Sequence, residues 1–159
     1  MLKILKILSA AMCIMQSPHA EEIMSQELII ENAWIKETPM NHSMTSGYLT
    51  IHNTGNIDQK LIGVSSPIAS NIEIHQIIME EDIMKMRPLL GGLIIPADSV
   101  VYLEPGSIHL MFIALKKQMI PMQTHFINLA FLHSGILTIE AIVKPSNDNH
   151  IDQAKKHKH

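Results

Sequence analysis

The sequence predicts an all-β domain, a Greek-key sandwich or barrel, on three observations. Short apolar segments rich in Ile, Leu and Val recur from Glu27 to about Val143. Turn residues separate them, and no 3.6-residue apolar stripe runs through them. About ten such segments in one stretch of chain is the pattern of a sandwich or barrel. The 159 residues, 47% of them hydrophobic, suffice for one core and fall short of two comfortable domains.

The elements follow in order. Leu28 to Ile35 and Thr45 to Asn53 are the first two expected strands, the second ending at Asn53-Thr54-Gly55-Asn56. Lys60 to Ser65 stops at Ser65-Ser66-Pro67. Ser70 to Met79 and Ile83 to Pro88 flank Glu80-Glu81-Asp82. Leu93 to Ile95 lies between Gly91-Gly92 and Pro96-Ala97-Asp98. Ser99 to Leu103 ends at Glu104-Pro105-Gly106, and His109 to Leu115, Thr124 to Phe131 and Ile136 to Val143 complete the set. Each break carries the Gly, Pro or Asx chemistry that turns require. No internal repeat is visible.

The two ends read differently. Residues 1–20 have the plan of a secretory signal peptide: Lys3 and Lys6, an apolar run from Ile7 to Met15, then small and polar residues to Ala20. Pro18 fits the usual cleavage pattern poorly, so the cleavage position stays open. The apolar run is far shorter than the roughly 20 residues of a spanning helix, and none follows, so the mature form is expected to have no membrane span and to be periplasmic. Residues 21–145 form the expected β-domain. Residues 146–159, ending Lys155-Lys156-His157-Lys158-His159, lose nearly all apolar content and are expected to form a disordered tail.

Charge and cysteine usage narrow the function. The formal net charge is −3, and no basic block inside the domain tracks a phosphate backbone, which excludes nucleic-acid binding. The single cysteine, Cys13, lies in the leader. Its removal leaves no thiol for a disulfide, a blue-copper site or a Cys-type zinc site. No nucleophile elbow, phosphate-binding glycine loop or H-E-x-x-H motif is present, so the chain is not read as an enzyme.

Against that background stand twelve methionines and ten histidines. With Glu81-Asp82 as the turn of a hairpin, Met79 faces Met84, Ile77 faces Met86 and His75 faces Pro88. His75 and Met86 then share one face as diagonal neighbours, about 7–8 Å apart at the backbone. In the strand from His109, His109 and Met111 point one way while Leu110 and Phe112 point to the core. Two imidazoles and two thioethers in the right parity suit a soft monovalent ion: thioether selects Cu(I) over Zn(II), Mg(II) or Ca(II). Other positions have plainer readings. Met119, Met122 and Met24 are read as gap-filling core, and His52, His125 and His133 stay unassigned, since a lone strand histidine is more often partly buried and hydrogen-bonded than a ligand.

Glu73-Ile74-His75, Met84-Lys85-Met86-Arg87-Pro88, Leu103-Glu104-Pro105-Gly106 and His109-Leu110-Met111 occur in that order. Ala33-Trp34, Gly47-Tyr48-Leu49-Thr50-Ile51 and Ser65-Ser66-Pro67 accompany them. In these motifs the chain resembles the PCu(A)C family of periplasmic copper chaperones, whose signature is H-(M)-x10-M-x21-H-x-M, over about Leu28 to Val143. Ten residues separate His75 from Met86, as in the signature, but twenty-two separate Met86 from His109, and Gln76 stands at the optional methionine. The extra residue falls in a turn-rich stretch where insertion costs little.

The resemblance implies a cupredoxin-like β-barrel with Cu(I) held by His75, Met86, His109 and Met111. It also implies delivery of copper to an acceptor, the Cu(A) site of cytochrome c oxidase (subunit II) or another copper chaperone. Such a carrier needs an exposed site with replaceable neutral ligands. Met40, His42 and Met44 in the loop before the second strand, Met84 in the hairpin, and His157 and His159 in the tail are candidate secondary donors, with Cu(II) suiting the imidazole-rich positions. The rival reading is a secreted β-sandwich for adhesion or assembly, with its methionines as core and no metal role.

Overall fold

The computed structural model describes residues 27–146; the expected signal peptide at 1–20, Met24, most of the tail, and His157 and His159 lie outside them. Ten strands run in chain order: β1 (Leu28–Lys36), β2 (Met44–Asn53), β3 (Gln59–Ser65), β4 (Ala69–Glu80), β5 (Ile83–Pro88), β6 (Leu93–Ile95), β7 (Ser99–Leu103), β8 (His109–Leu115), β9 (Thr124–Phe131) and β10 (Gly135–Lys144). Every expected strand is present, with ends displaced by one residue at most. The reason is local: at each break the chain meets a residue that cannot continue the ladder, or one that adopts a left-handed backbone. Asp98, Gly92, Gly106 and Gly135 all have positive φ.

The strands form one hydrogen-bonded path, β5-β4-β8-β2-β1-β10-β9-β3-β6, with β7 pairing the far half of β2. β2 is shared end to end: Met44 to Gly47 pair with β8, and Leu49 to Asn53 pair with β7. β1 and β10 are parallel, with Trp34 beside Ile142; the other ladders are antiparallel. One face of the path bounds a single core that includes Ile35, Leu49, Ile51, Leu61, Ile74, Leu110, Phe112, Ile127, Leu129 and Val143. Every strand except β5 puts a buried apolar residue into it. Period-two alternation explains the selection. Leu110 and Phe112 are fully buried, while His109 and Met111 stand on the opposite face of the same strand.

The methionines divide as their positions dictate. Met119 is fully buried, as core. Met122, read from sequence as core, is instead 78% exposed. It occupies a left-handed turn (φ 70°) in which its N–H donates to the Val143 carbonyl, and its backbone role leaves the side chain in solvent.

His52, unassigned from the sequence, pairs with Glu31 (Nε2–Oε2 3.1 Å). His125, also unassigned from the sequence, is buried and has no partner at Nε2. Burial, with the Lys117 charge assisting, holds its pKa below the ordinary imidazole value. The unfolded chain therefore takes up this proton at about pH 6.5, before the folded chain does. Stability is complete above that pH and declines as pH falls through the lower folded value. The urea midpoint is expected to drop between about pH 7 and 5, and His125→Asn to flatten part of that slope.

Candidate metal centre

β4 lies between β5 and β8, and the register of these three strands builds the site. On one side, Met79 pairs with Met84, Ile77 with Met86 and His75 with Pro88. The turn residues Glu81 and Asp82 both have positive φ, 50° and 60°, the backbone of a type I′ two-residue hairpin. On the other side His75 pairs directly with His109 and Glu73 with Met111. Paired residues share a face, so His75, His109, Met111 and Met86 all stand on the face opposite the core. The two imidazoles meet, and Met111 and Met86 flank them on opposite sides, one step away along the strands.

The ring centroids of His75 and His109 are 5.9 Å apart at an interplanar angle of 64°. Two imidazoles that bind one ion through nitrogen–metal bonds of about 2 Å place their ring centres within roughly 6.5 Å of each other. The tautomers follow from the partners. His109 Nδ1–H donates to the Ser107 carbonyl at 3.0 Å, which leaves Nε2 as a lone pair. His75 Nε2–H donates to Glu73 Oε2 at 2.8 Å, which leaves Nδ1 as a lone pair. Both of these nitrogens, His109 Nε2 and His75 Nδ1, are buried with no hydrogen-bond partner. Buried acceptors left unpaired cost free energy that a protein ordinarily avoids. Two of them on facing rings, each with its other nitrogen pinned by an acceptor, is the supporting arrangement that metal-binding imidazoles use.

Glu73 escaped the sequence reading as a functional group. It shares a face with His75 two residues on, and it is in turn held by Asn71 Nδ2, which donates to Oε1 at 2.8 Å. The strand parity of Glu73-x-His75 was the signal available. Tyr48 closes the other side of His109, with ring centroids 6.3 Å apart, and Trp34 packs on Tyr48 at 4.4 Å. Ser46 Oγ reaches Met111 Sδ at 4.0 Å.

Exposure is graded across the group: His109 is 3% exposed and Met86 45%. The sequence expectation of an open surface site therefore holds at the Met86 end and not at His109, because Tyr48 and the Ser107 turn stand against that ring. Among the described residues, no three of His, Cys, Asp and Glu cluster as a metal site. Met86 and Met111 supply the sulfur atoms on the same face as the two imidazoles.

The secondary donors separate. His42 and Met44 line an open cavity of about 950 Å³ whose wall also includes Met111. Met44 pairs with Ile113, which makes it the diagonal neighbour of Met111. Met40 is 75% exposed in the preceding turn and is not among the residues lining that cavity. Met84 lies at the tip of the β4–β5 hairpin, beyond the imidazoles. No helix among the described residues is long and apolar enough to cross a membrane.

Comparison with known proteins adds the family. The copper-bound PCuAC domain from PmoF2 superposes with a TM-score of 0.63 at 22% identity, over 75% of this chain and 93% of that one. The solution structure of CuI-DR1885 from Deinococcus radiodurans gives 0.58 at 25% identity, over 83% and 89%. The fold is thus that of PCuAC domains. In sequence, the Leifsonia xyli subsp. xyli protein described as "Putative lipoprotein Lxx21020" is 27% identical over 124 residues, 76% of this chain and 74% of that protein. RP573 of Rickettsia prowazekii is 35% identical over 69 residues, 43% of this chain and 38% of its own length. A family model described as "Putative lipoprotein LpqE-like" matches residues 28–143, and with that span covered the chain belongs to the LpqE-like family.

Proposed function

We propose that this protein is an extracytoplasmic copper carrier that holds Cu(I) through His75, His109, Met86 and Met111 and passes it to an acceptor protein by ligand exchange. The observation that carries the reading is that His75 Nδ1 and His109 Nε2 are both buried without hydrogen-bond partners, on imidazoles whose centroids are 5.9 Å apart. Neutral imidazole and thioether ligands leave the bound ion its single positive charge, and thioether sulfur disfavours harder divalent ions. The ligands need no deprotonation in these tautomers, and none can be lost to a disulfide. Copper in a structural neighbour of the same fold, and the lipoprotein description of the family, support the cargo and the compartment.

Met86 is the solvent-facing member of the set, so an incoming ligand replaces it first, with His109 the last to let go. The acceptor is a protein with a stronger, thiolate-bearing copper site; the Cu(A) centre of cytochrome c oxidase is the acceptor we favour, following the motif resemblance. The test is Cu(I) titration against a competing chelator under reducing conditions. The expected result is tight uptake that excess Zn(II) does not displace. A protein that takes up no Cu(I) above a buffer control is the adhesion or assembly module instead.

A further inference from the structure

The β4–β5 hairpin runs on past the imidazoles. β8 pairs with β4 only as far as His75, whereas β5 pairs with β4 out to Glu80. The distal ribbon therefore has two free faces. On one, Glu80 accepts from Lys85 at 2.7 Å and from Arg87 at 3.3 Å, and these hydrogen bonds hold its carboxyl below the usual carboxylate range. The other face is sulfur. Met79 and Met84 are direct cross-strand partners, and Met86 is two residues from Met84 and diagonal to Met79.

These three methionines are 64%, 60% and 45% exposed, so core filling does not explain them. No residue of β5 is buried. Their backbone positions form a triangle with sides of about 5, 7 and 7–8 Å. Flexible thioethers span such distances to one ion.

We infer that Met79, Met84 and Met86 form a second Cu(I) station at the hairpin tip, sharing Met86 with the His75–His109 centre. The inference rests on the copper reading above and adds a route to it. Cu(I) taken at the tip by three neutral sulfurs moves inward when Met86 turns toward His75 and the imidazoles replace Met79 and Met84. The ion stays monovalent throughout, and no proton or electron changes place. Thioethers without imidazole hold it more weakly than the inner set, and once Met86 is held inward only Met79 and Met84 remain for a second ion, so the tip fills second at equilibrium and serves as the point of entry and departure.

The experiment is titration of the protein, carrying 13C-methyl methionine, with Cu(I) under reducing conditions, followed by NMR. The first equivalent is expected to shift the imidazole signals of His75 and His109 with the methyls of Met86 and Met111. The second is expected to shift Met79 and Met84, while the buried Met119 stays put. The double variant Met79→Leu/Met84→Leu, at exposed positions, is expected to keep the first equivalent and to bind the second at least tenfold more weakly. Met79 and Met84 methyls unmoved by the second equivalent, or a double variant that binds both equivalents as the parent does, overturns the tip station and leaves the inner centre standing. Imidazole signals unmoved by the first equivalent overturn the inner centre, and with it the shared Met86.

Discussion

His109→Ala is expected to weaken Cu(I) binding by more than about a hundredfold, measured by chelator competition. Removing a group that merely supports a metal ligand typically costs about 10–100-fold in affinity, and His109 would be a ligand itself. Its Nε2 is one of two unpaired imidazole nitrogens at the centre, and the Ser107 carbonyl fixes its ring through Nδ1. Nothing else on β8 offers nitrogen to the same point. Glu73→Gln is the graded control. Glutamine Oε1 still accepts from His75 Nε2–H, but without the negative charge, so a loss near tenfold is expected. Parent-like affinity in His109→Ala, with the fold intact by circular dichroism, would remove the assignment.

Phe112→Ala is expected to lower unfolding free energy by about 3–5 kcal/mol in urea titration, the usual cost of emptying a buried aromatic site. Phe112 is fully buried. Its ring lies so close to Gly47 that a Cβ there would come within 2.6 Å of Cε2, so Gly47 has no side chain to fill the hole. The residue sits on the same strand as His109 and Met111 but on the other face. Copper affinity of the folded protein is therefore expected to change less than about threefold. If affinity collapses along with stability at temperatures where the variant remains folded, the two faces of β8 are not independent.

Much of this was legible in the sequence because it is local. Alternation along His109-Leu110-Met111-Phe112 assigns a face to each side chain without reference to any other strand, and the Glu81-Asp82 turn fixes the register that sets Met86 diagonal to His75. What was not legible depends on which strands meet. Direct opposition of His75 and His109 requires β4 and β8 to be neighbours, and no local pattern states that pairing. The parallel β1–β10 contact, which brings the two ends of the domain together, is equally silent. The near-complete burial of His109 arises from Tyr48 on β2, an element distant in sequence, so periodicity could not foresee it. Met122 shows the converse failure, where an apolar residue type gave no warning of its left-handed backbone.

The absence of any buried side chain on β5 bears on how the proposed carrier would release its ion. Lifting this strand away breaks a ladder of backbone bonds and the Glu80 contacts on the face away from the sulfurs, yet withdraws nothing from the hydrophobic interior. Detachment of β5 is thus a local opening with a cost far below global unfolding, and it would take the Met86 sulfur with it while the other strands and both imidazoles stay where they are. In the proposed carrier, hold and release would thus fall to two parts of one polypeptide, a packed cradle and an outrigger that can swing.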